Sequence, residues 1–467
     1  MTTNTSKVLN ETKQRKANKL APEFMAEGKT YRYWRLRIMY SIMLGYAFFY
    51  IVRANFTPIM PELANSEDFL ISELGVGFIL TVFSVVYGLG KFFNGFLSDR
   101  FNARYFMAIG LAGAGVINLF AGFAPNPVIL ALLWGLNAWF QSMGWPPCAR
   151  LLTHWFTPVE LGRRWGIWNM SHQIGTILTT VVCALIIEQS TLGWRYAFYI
   201  PGVIALVGAY FLYNRLRDTP QSLGMSSVEK FKGMIHKDEE DGESNNLTLK
   251  EIVFDHILPN RRILKISVAT LFLYVVKNGL HFWVPLIFVK EHNASLLVAC
   301  LMLVIMDLPA MVGGVTAGWL SDRLFKGHRG AVATIFMLGL AVSIVVFKYL
   351  GIDFKNVDGT LSIEYAMAAS CMVVMGFFMA GAQVLSGVAA ADFSSKKVAG
   401  AATGLTGTFG YVGSGIISGI GVGAIAKKYG WDMCYDLFTI CSLLSAFFFF
   451  LTAKHRSSVL DKAAAAK

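Results

Sequence analysis

GYAFFYIVRANFTPIMP, residues 45–61, holds one arginine, Arg53, in the middle of an apolar segment long enough to cross a bilayer. A guanidinium near the centre of a spanning helix costs roughly 2.5–3.5 kcal/mol on insertion scales, so something must compensate it. A second segment, YVVKNGLHFW at residues 274–283, repeats the arrangement with Lys277, and in both a tyrosine stands three residues ahead of the cation. Two cations in two apolar helices point to one shared anionic ligand. The plainer reading is that each side chain snorkels to an interface or pairs with a carboxylate of its own. Spacing favours the shared ligand. Arg53 and Lys277 are 224 residues apart (277 − 53), while the phrases GFLSDRFNAR from Gly95 and GWLSDRLFKGHR from Gly318 set Asp99 and Asp322 223 apart (322 − 99). The cations thus hold the same place in two copies of one unit, and internal repeats with a site at their interface mark transporters.

The composition agrees with a chain that lives in lipid. Of 467 residues 55% are hydrophobic and 15% charged, mean hydropathy is +0.51, and apolar runs of about 20 residues recur, enough for a hydrocarbon core of ~30 Å. The runs predict twelve spans, at 38–60, 75–97, 105–124, 128–149, 165–187, 195–213, 265–289, 296–320, 331–350, 364–390, 399–426 and 431–453. Only helices satisfy the backbone over such lengths in lipid. The expected fold is therefore an all-α membrane protein of two pseudo-symmetric six-helix halves, 38–213 and 263–453, joined by a linker over 214–262 and flanked by polar tails at 1–37 and 454–467. The net charge of +12 is no nucleic-acid footprint. Lys and Arg crowd the tails and every second connection, while Glu62, Glu67, Asp68 and Glu73 follow the first span, so both termini are expected in the cytoplasm of a cell whose inner membrane the chain crosses many times. In the linker, DEEDGES (residues 238–244) could dock a regulator, though a solvated loop is the plainer reading. No cleavable signal is visible. The six cysteines show no metal spacing and read as small core residues.

Besides Arg53 and Lys277, the spans hold Lys91, His172, His281 and Asp307, each expensive enough to need a reason. Lys91 lies four residues after Tyr87 and shares its face. His172 sits in WNMSHQIGT beside Asn169, where a structural bond to a neighbouring helix competes with ligand binding; its ordinary titration range would let it follow phosphate protonation. His281 is one turn beyond Lys277. Asp307 could neutralise Lys277 or Arg53 in the empty protein, a pair that a ligand would exchange for its own oxygens. Tyr46, Tyr50 and Arg53 stand at i, i+4 and i+7 on one face, and Tyr274, Trp139 and Tyr411 fall in other inner segments; packing is the alternative for each. Abundant glycine, as in GLTGTFGYVGSGIISGIGVGAIA from Gly404, suits helices that approach closely and slide. The two SDR phrases, with Asp99, Arg100, Asp322 and Arg323, read as conformational latches at one membrane face.

WFQSMGWPPCARLLTHWF, residues 139–156, resembles the signature of the organophosphate:phosphate antiporters of the major facilitator superfamily, the group that includes bacterial glycerol-3-phosphate and hexose-6-phosphate transporters. YIVRANF, YGLGKFFNGFLSDR, the RRWGIWNMSHQIG run, RDTPQSLG at Arg217, GWLSDR and GLTGTFGYVG are similar to family blocks in family order, over essentially the whole chain. The resemblance implies that Arg53 and Lys277 bind phosphate, with Lys91, His172, Tyr274, Trp139 and Tyr411 lining the path. It also implies exchange of a sugar phosphate for inorganic phosphate by a monomer that needs no cofactor. Three departures matter. The family's bacterial glycerol-3-phosphate members carry arginine where this chain has Lys277 and lysine where it has Ala54, and the fifth span reads SHQIGT where the family usually has HN followed by glycines. The first keeps charge but loses the bidentate fork; the missing lysine at 54 points toward hexose 6-phosphate. Rival expectations are a glycerol-3-phosphate antiporter, a transporter-like sensor of hexose phosphate, and a symporter of an uncharged solute. An enzyme is disfavoured by the lack of paired carboxylates, metal spacing or a nucleophile motif.

Overall fold

A computed structural model describes residues 30–65, 69, 71–189, 192–228, 259–354, 363–393 and 399–455. The polar tails beyond them, the acidic run at 238–244 and the side chain of Asp99 lie outside the described residues. Within them the chain is helical without strands. Eleven helices are long and apolar enough to cross a membrane: α1 (Thr30–Ala64), α2 (Glu73–Arg100), α3 (Ala103–Gly122), α6 (Pro158–Gln189), α7 (Tyr196–Arg215), α8 (Arg261–Lys290), α9 (Leu296–Arg323), α10 (Arg329–Tyr349), α11 (Ile363–Asp392), α12 (Thr403–Tyr429) and α13 (Trp431–Phe450). Their boundaries fall within a few residues of the apolar runs at most ends. The first span begins at Thr30 rather than at 38, because Tyr31 is buried and Trp34 packs against the apolar cluster that includes Trp155.

The fourth expected span, 128–149, is not one helix. It breaks into α4 (Pro127–Gln141) and α5 (Trp145–Trp155). Pro146 and Pro147 supply no backbone N–H, so they suit the first turn of a helix and not its middle; the chain turns through Ser142–Gly144, and α5 starts afresh.

Side-chain caps set several of the starts. Ser72 accepts from the Gly75 amide and Ser295 from that of Val298, both at 3.3 Å, and these caps are again 223 residues apart (295 − 72). Packing repeats as well: α2 pairs with α4 and α3 with α7 in the first half, as α9 pairs with α11 and α10 with α13 in the second. Glycines set the closeness of the α9–α11 seam, where a methyl on Gly376 would stand 1.8 Å from the Met306 carbonyl oxygen and one on Gly313 2.1 Å from that of Phe377. Between the halves, α1 meets α8, α6 meets α9 and α2 meets α12. The two halves therefore share one architecture, and their interface lies between equivalent helices.

Two irregularities break the symmetry near that interface. Asn55 interrupts α1 immediately after Arg53 and Ala54, and Pro58 and Pro61 follow. Helix α12 contains two π-helical segments, Phe409–Gly413 and Ile417–Gly421, a geometry frequent at functional sites.

Candidate functional site

Arg53 is placed by polar side chains that hold the interrupted α1. The Phe49 carbonyl accepts from Gln141 Nε2 at 2.9 Å, and the Val52 carbonyl accepts from Asn118 Nδ2 at 3.1 Å and Asn137 Nδ2 at 3.0 Å. Asn55 itself donates to Asn118 Oδ1 (2.8 Å) and to the Ala197 carbonyl (2.9 Å). All four amide residues are buried, and leaving such a carbonyl unpaired costs about 1–3 kcal/mol. The network therefore fixes the turn that follows Arg53. Reading the sequence for charges passes over these four residues, although each is a lone amide in an apolar run.

The Arg53 side chain lies among aromatic rings. Its Cζ is 4.5 Å from the Tyr87 ring centroid and 5.2 Å from those of Tyr50 and Phe83. Tyr50 in turn touches Tyr46 (5.4 Å) and the His172 ring (5.3 Å), while Tyr46 is buried behind it against Trp168 at 4.7 Å. His172 Nδ1 bonds the Asn169 carbonyl. From the other half, Lys277 Nζ is 5.3 Å from the Tyr274 ring, Tyr274 is 5.2 Å from Tyr411, and Tyr411 is 4.9 Å from Tyr87. A chain of ring contacts, bridged between α1 and α2 by the Arg53 guanidinium, thus runs from α1 through α2 and α12 to α8. Lys91 Nζ reaches it from α2, 5.4 Å from the Tyr411 ring and 5.0 Å from that of Trp145.

One cavity, of about 110 Å³, is lined from both halves by Tyr50, Arg53, His172, Lys277, His281, Asp307 and Tyr411, with Ala54 beside Arg53. Seven of the sequence-predicted residues thus meet there, and Tyr46, Tyr274 and Lys91 stand directly behind its wall. Two do not. Trp139 is half-exposed and packs on Phe93 (6.5 Å), its backbone carbonyl held by Ser142 and Asn94, so that Trp145, just past the break in the fourth span, is the indole near Lys91. Asn169 is an exposed residue that offers His172 its backbone carbonyl and is absent from the cavity wall.

Asp307 also departs from expectation. It is buried, and its Oδ1 is 3.3 Å from His281 Nε2. It is within Coulombic reach of Lys277 without forming an ion pair. Among the described residues neither Arg53 nor Lys277 has a carboxylate within 4.0 Å, so the pair presents positive charge to the cavity. Among the described residues no group of three or more His, Cys, Asp or Glu side chains is placed to hold a metal.

Several hydrogen bonds between the halves gather toward one end of the bundle. Lys290 Nζ meets Glu73 Oε1 at 2.7 Å, and the Leu297 amide donates to Glu188 Oε2 at 2.6 Å. Thr81 Oγ1 donates to the Gly415 carbonyl (3.0 Å) and accepts from the Ile420 amide (2.8 Å), which clips α2 to α12 between and within its π segments. Toward the other end, a methyl on Gly404 of α12 or Gly166 of α6 would meet nothing within 4 Å. At that end lie the residues expected to act as latches. Asp322 pairs with Arg329 at the start of α10, which also bonds Asp392 (3.2 Å) and Ser321 (3.1 Å), whereas Arg323 is exposed and Arg100 lies over the Phe96 ring at 4.1 Å. In the first half the carboxylate that accepts from a helix N-terminus is Asp218, bonded by the Ala103 amide (3.0 Å) and by both Nε (3.1 Å) and Nη2 (3.0 Å) of Arg150.

The model of the Major Facilitator Superfamily matches residues 42–418. A probable hexose phosphate transport protein of Chlamydia muridarum is 40% identical, over 91% of this chain and 92% of its own. The membrane sensor protein UhpC of Escherichia coli is 37% identical over 89% and 91%, and a glycerol-3-phosphate transporter of Bacillus subtilis 31% over 90% and 93%. Among solved structures, the xylose transporter XylE from E. coli in an inward open conformation superposes with a TM-score of 0.69 at 16% identity, over 92% of this chain and 99% of that one, a likeness of fold. A fold of two repeated halves, with paired cations at their interface and whole-length similarity to these relatives, makes the chain a member of the major facilitator superfamily and, within it, of the organophosphate:phosphate antiporter family.

Proposed function

We propose that the chain exchanges a hexose 6-phosphate for inorganic phosphate by alternating access across the cytoplasmic membrane, with both termini in the cytoplasm. The observation that carries this reading is the shared cavity, to which one half brings Arg53 and the other Lys277, each without a carboxylate within ion-pair distance among the described residues. Two cations repel at close range in a medium of low dielectric, so drawing the halves together around an empty site is unfavourable. A bound phosphate oxyanion cancels that repulsion, and only a loaded carrier then crosses between its two faces. Exchange follows from this with no ATP. A single chain holds both cations, so a monomer suffices.

The halves are joined where α2 begins and α8 ends, at the end opposite the basic connections. We take that end as the outer face, which makes the state seen here inward-facing. Ala54 lines the cavity next to Arg53 and leaves room for a bulkier neutral moiety than a lysine there would allow. That supports hexose phosphate over glycerol 3-phosphate, as do relatives at 38–40% identity named as probable hexose phosphate transport proteins.

The 37% identity to a membrane sensor supports a second reading, in which the same site reports ligand without carrying it. Counterflow in reconstituted vesicles separates the two: a transporter admits labelled phosphate into phosphate-loaded vesicles and lets glucose 6-phosphate compete, whereas a sensor binds glucose 6-phosphate without flux. Neither flux nor binding would refute both.

A further inference from the structure

We infer that the end of the bundle where α1 and α3 begin and α7 finishes binds the headgroup of an anionic phospholipid, held by Arg37, Arg104 and Arg217. This rests on the membrane-spanning fold and is independent of what the central cavity carries. Three elements bring the arginines to one spot, the last turn of α7. Arg37 of α1 donates to the carbonyls of Asn214 (2.9 Å) and Arg215 (3.2 Å). Arg104 of α3 donates to that of Tyr213, and Arg217, just past the helix, to those of Asn214 (3.1 Å) and Leu216 (2.6 Å). Arg37 and Arg217 lie over one indole, that of Trp34, at 4.7 and 5.6 Å. Burial, and then the charges of Arg104 and Arg37, pull the Arg217 guanidinium below its ordinary value.

Capping explains why cations gather here, but a helix C-terminus carries only about half an elementary negative charge, against three guanidiniums. Other arginines at this end are neutralised, Arg35 by Glu160 and Arg150 by Asp218. Asp218, the residue next to Arg217, is committed to Arg150 and to the Ala103 amide. Among the described residues Arg37, Arg104 and Arg217 have no carboxylate within 4.0 Å. The second half supplies the contrast: Arg329, at the start of α10 as Arg104 is at the start of α3, pairs with both Asp322 and Asp392. A guanidinium has five N–H donors. Among the described residues Arg104 bonds protein through Nε, which leaves its terminal nitrogens for a phosphate oxygen, a geometry the planar fork suits.

The neighbouring surface decides where that phosphate comes from. Tyr105 and Tyr213 meet at 5.8 Å, and Arg104 lies over both rings, at 5.3 and 4.3 Å. From these rings exposed apolar stripes run into the spans, through Ile109 on α3 and through Tyr210, Val207 and Val203 on α7. A soluble phosphate has no use for such a surface. A diacyl lipid lays its chains along it with its phosphodiester at the arginines, and tyrosine favours that headgroup level. A zwitterionic lipid brings its own cation and leaves the excess charge unbalanced, so the partner is anionic. On the orientation proposed above it belongs to the inner leaflet, where basic sites between helices take anionic headgroups.

The test uses the unaltered full chain purified in detergent, with phosphatidylglycerol and phosphatidylcholine of the same acyl chains as probes and native mass spectrometry to count bound lipid. Phosphatidylglycerol should be retained at least about tenfold more tightly, given about fivefold per cation near an anionic headgroup. Arg104→Gln should cut that preference by about fivefold, whereas Arg262→Gln, which removes an exposed cation at the start of α8, should leave it unchanged. Equal retention of the two lipids, or equal effects of the two variants, would overturn the site. Displacement of phosphatidylglycerol by inorganic phosphate would hand the arginines to a soluble anion and overturn the lipid assignment. Should Arg104→Gln fail to fold, a photoactivatable phosphatidylglycerol on the unaltered chain decides: labelling within residues 105–109 and 203–217 supports the site, and labelling only elsewhere overturns it.

Discussion

Arg53→Lys keeps a positive charge in the cavity and removes the planar fork. The guanidinium lies 4.5 Å from the Tyr87 ring and 5.2 Å from the Tyr50 and Phe83 rings, so aromatic faces hold it beside the cavity that it lines. An ammonium lacks both the stacking plane and the second parallel donor. One charge-assisted hydrogen bond to phosphate is worth about 1.5–3 kcal/mol, and the weakened cation–π contacts add about 0.5–1 kcal/mol. Their joint loss, about 2–4 kcal/mol, corresponds to a fall of about 30- to 700-fold in kcat/KM for phosphate exchange. Labelled-phosphate counterflow in proteoliposomes, normalised to the amount of reconstituted protein, measures it. Exchange within about threefold of the parent would refute the reasoning and take Arg53 out of the site.

Three further outcomes follow from the same geometry. Lys277→Arg should retain most of the exchange that Lys277→Ala loses, since it preserves the charge facing Arg53; equal loss in the two variants, measured by the same counterflow, would contradict a paired site. Ala54→Lys should move preference away from glucose 6-phosphate and toward glycerol 3-phosphate by crowding the space beside Arg53, and an unchanged ratio of inhibition constants would detach residue 54 from specificity. Asn118→Leu breaks the 2.8 Å bond from Asn55 and the 3.1 Å bond to the Val52 carbonyl around the α1 turn. It should destabilise the protein by about 2–3 kcal/mol, seen as a lower unfolding temperature in detergent, and an unchanged temperature would show that the turn does not depend on this network.

The fold is legible because a membrane protein writes its spans as runs of apolar residues and this chain writes them twice. The 223- and 224-residue spacings match Asp99 to Asp322 and Arg53 to Lys277 by sequence alone, and the Ser72 and Ser295 caps follow the same period. Hydropathy is blind to hydrogen bonding, however. It runs straight through Ser142–Gly144 although the following prolines mark a helix start, and it carries no sign that α12 leaves α-helical geometry around Tyr411. For the site, rare charges in apolar runs point to Arg53, Lys277, His172, His281 and Asp307, which line one cavity. Neutral side chains of the same wall, such as Gln173 and Gln383, cost less to bury and so stand out less in sequence. Trp139 is singled out by the resemblance, whereas Trp145, just past the break in the fourth span, is the indole near Lys91. Charge alone matches Asp307 to a cation, and His281, its partner in the structure, is a contact that sequence distance does not encode.

The most direct measurement of the central claim is uptake of labelled glucose 6-phosphate into proteoliposomes prepared with and without internal phosphate. Obligatory exchange through the Arg53–Lys277 site predicts rapid uptake into phosphate-loaded vesicles, release of internal phosphate in step with it, and almost none into phosphate-free vesicles. Equal uptake into both would contradict an antiporter, and tight binding of glucose 6-phosphate with no uptake into either would make the chain a sensor.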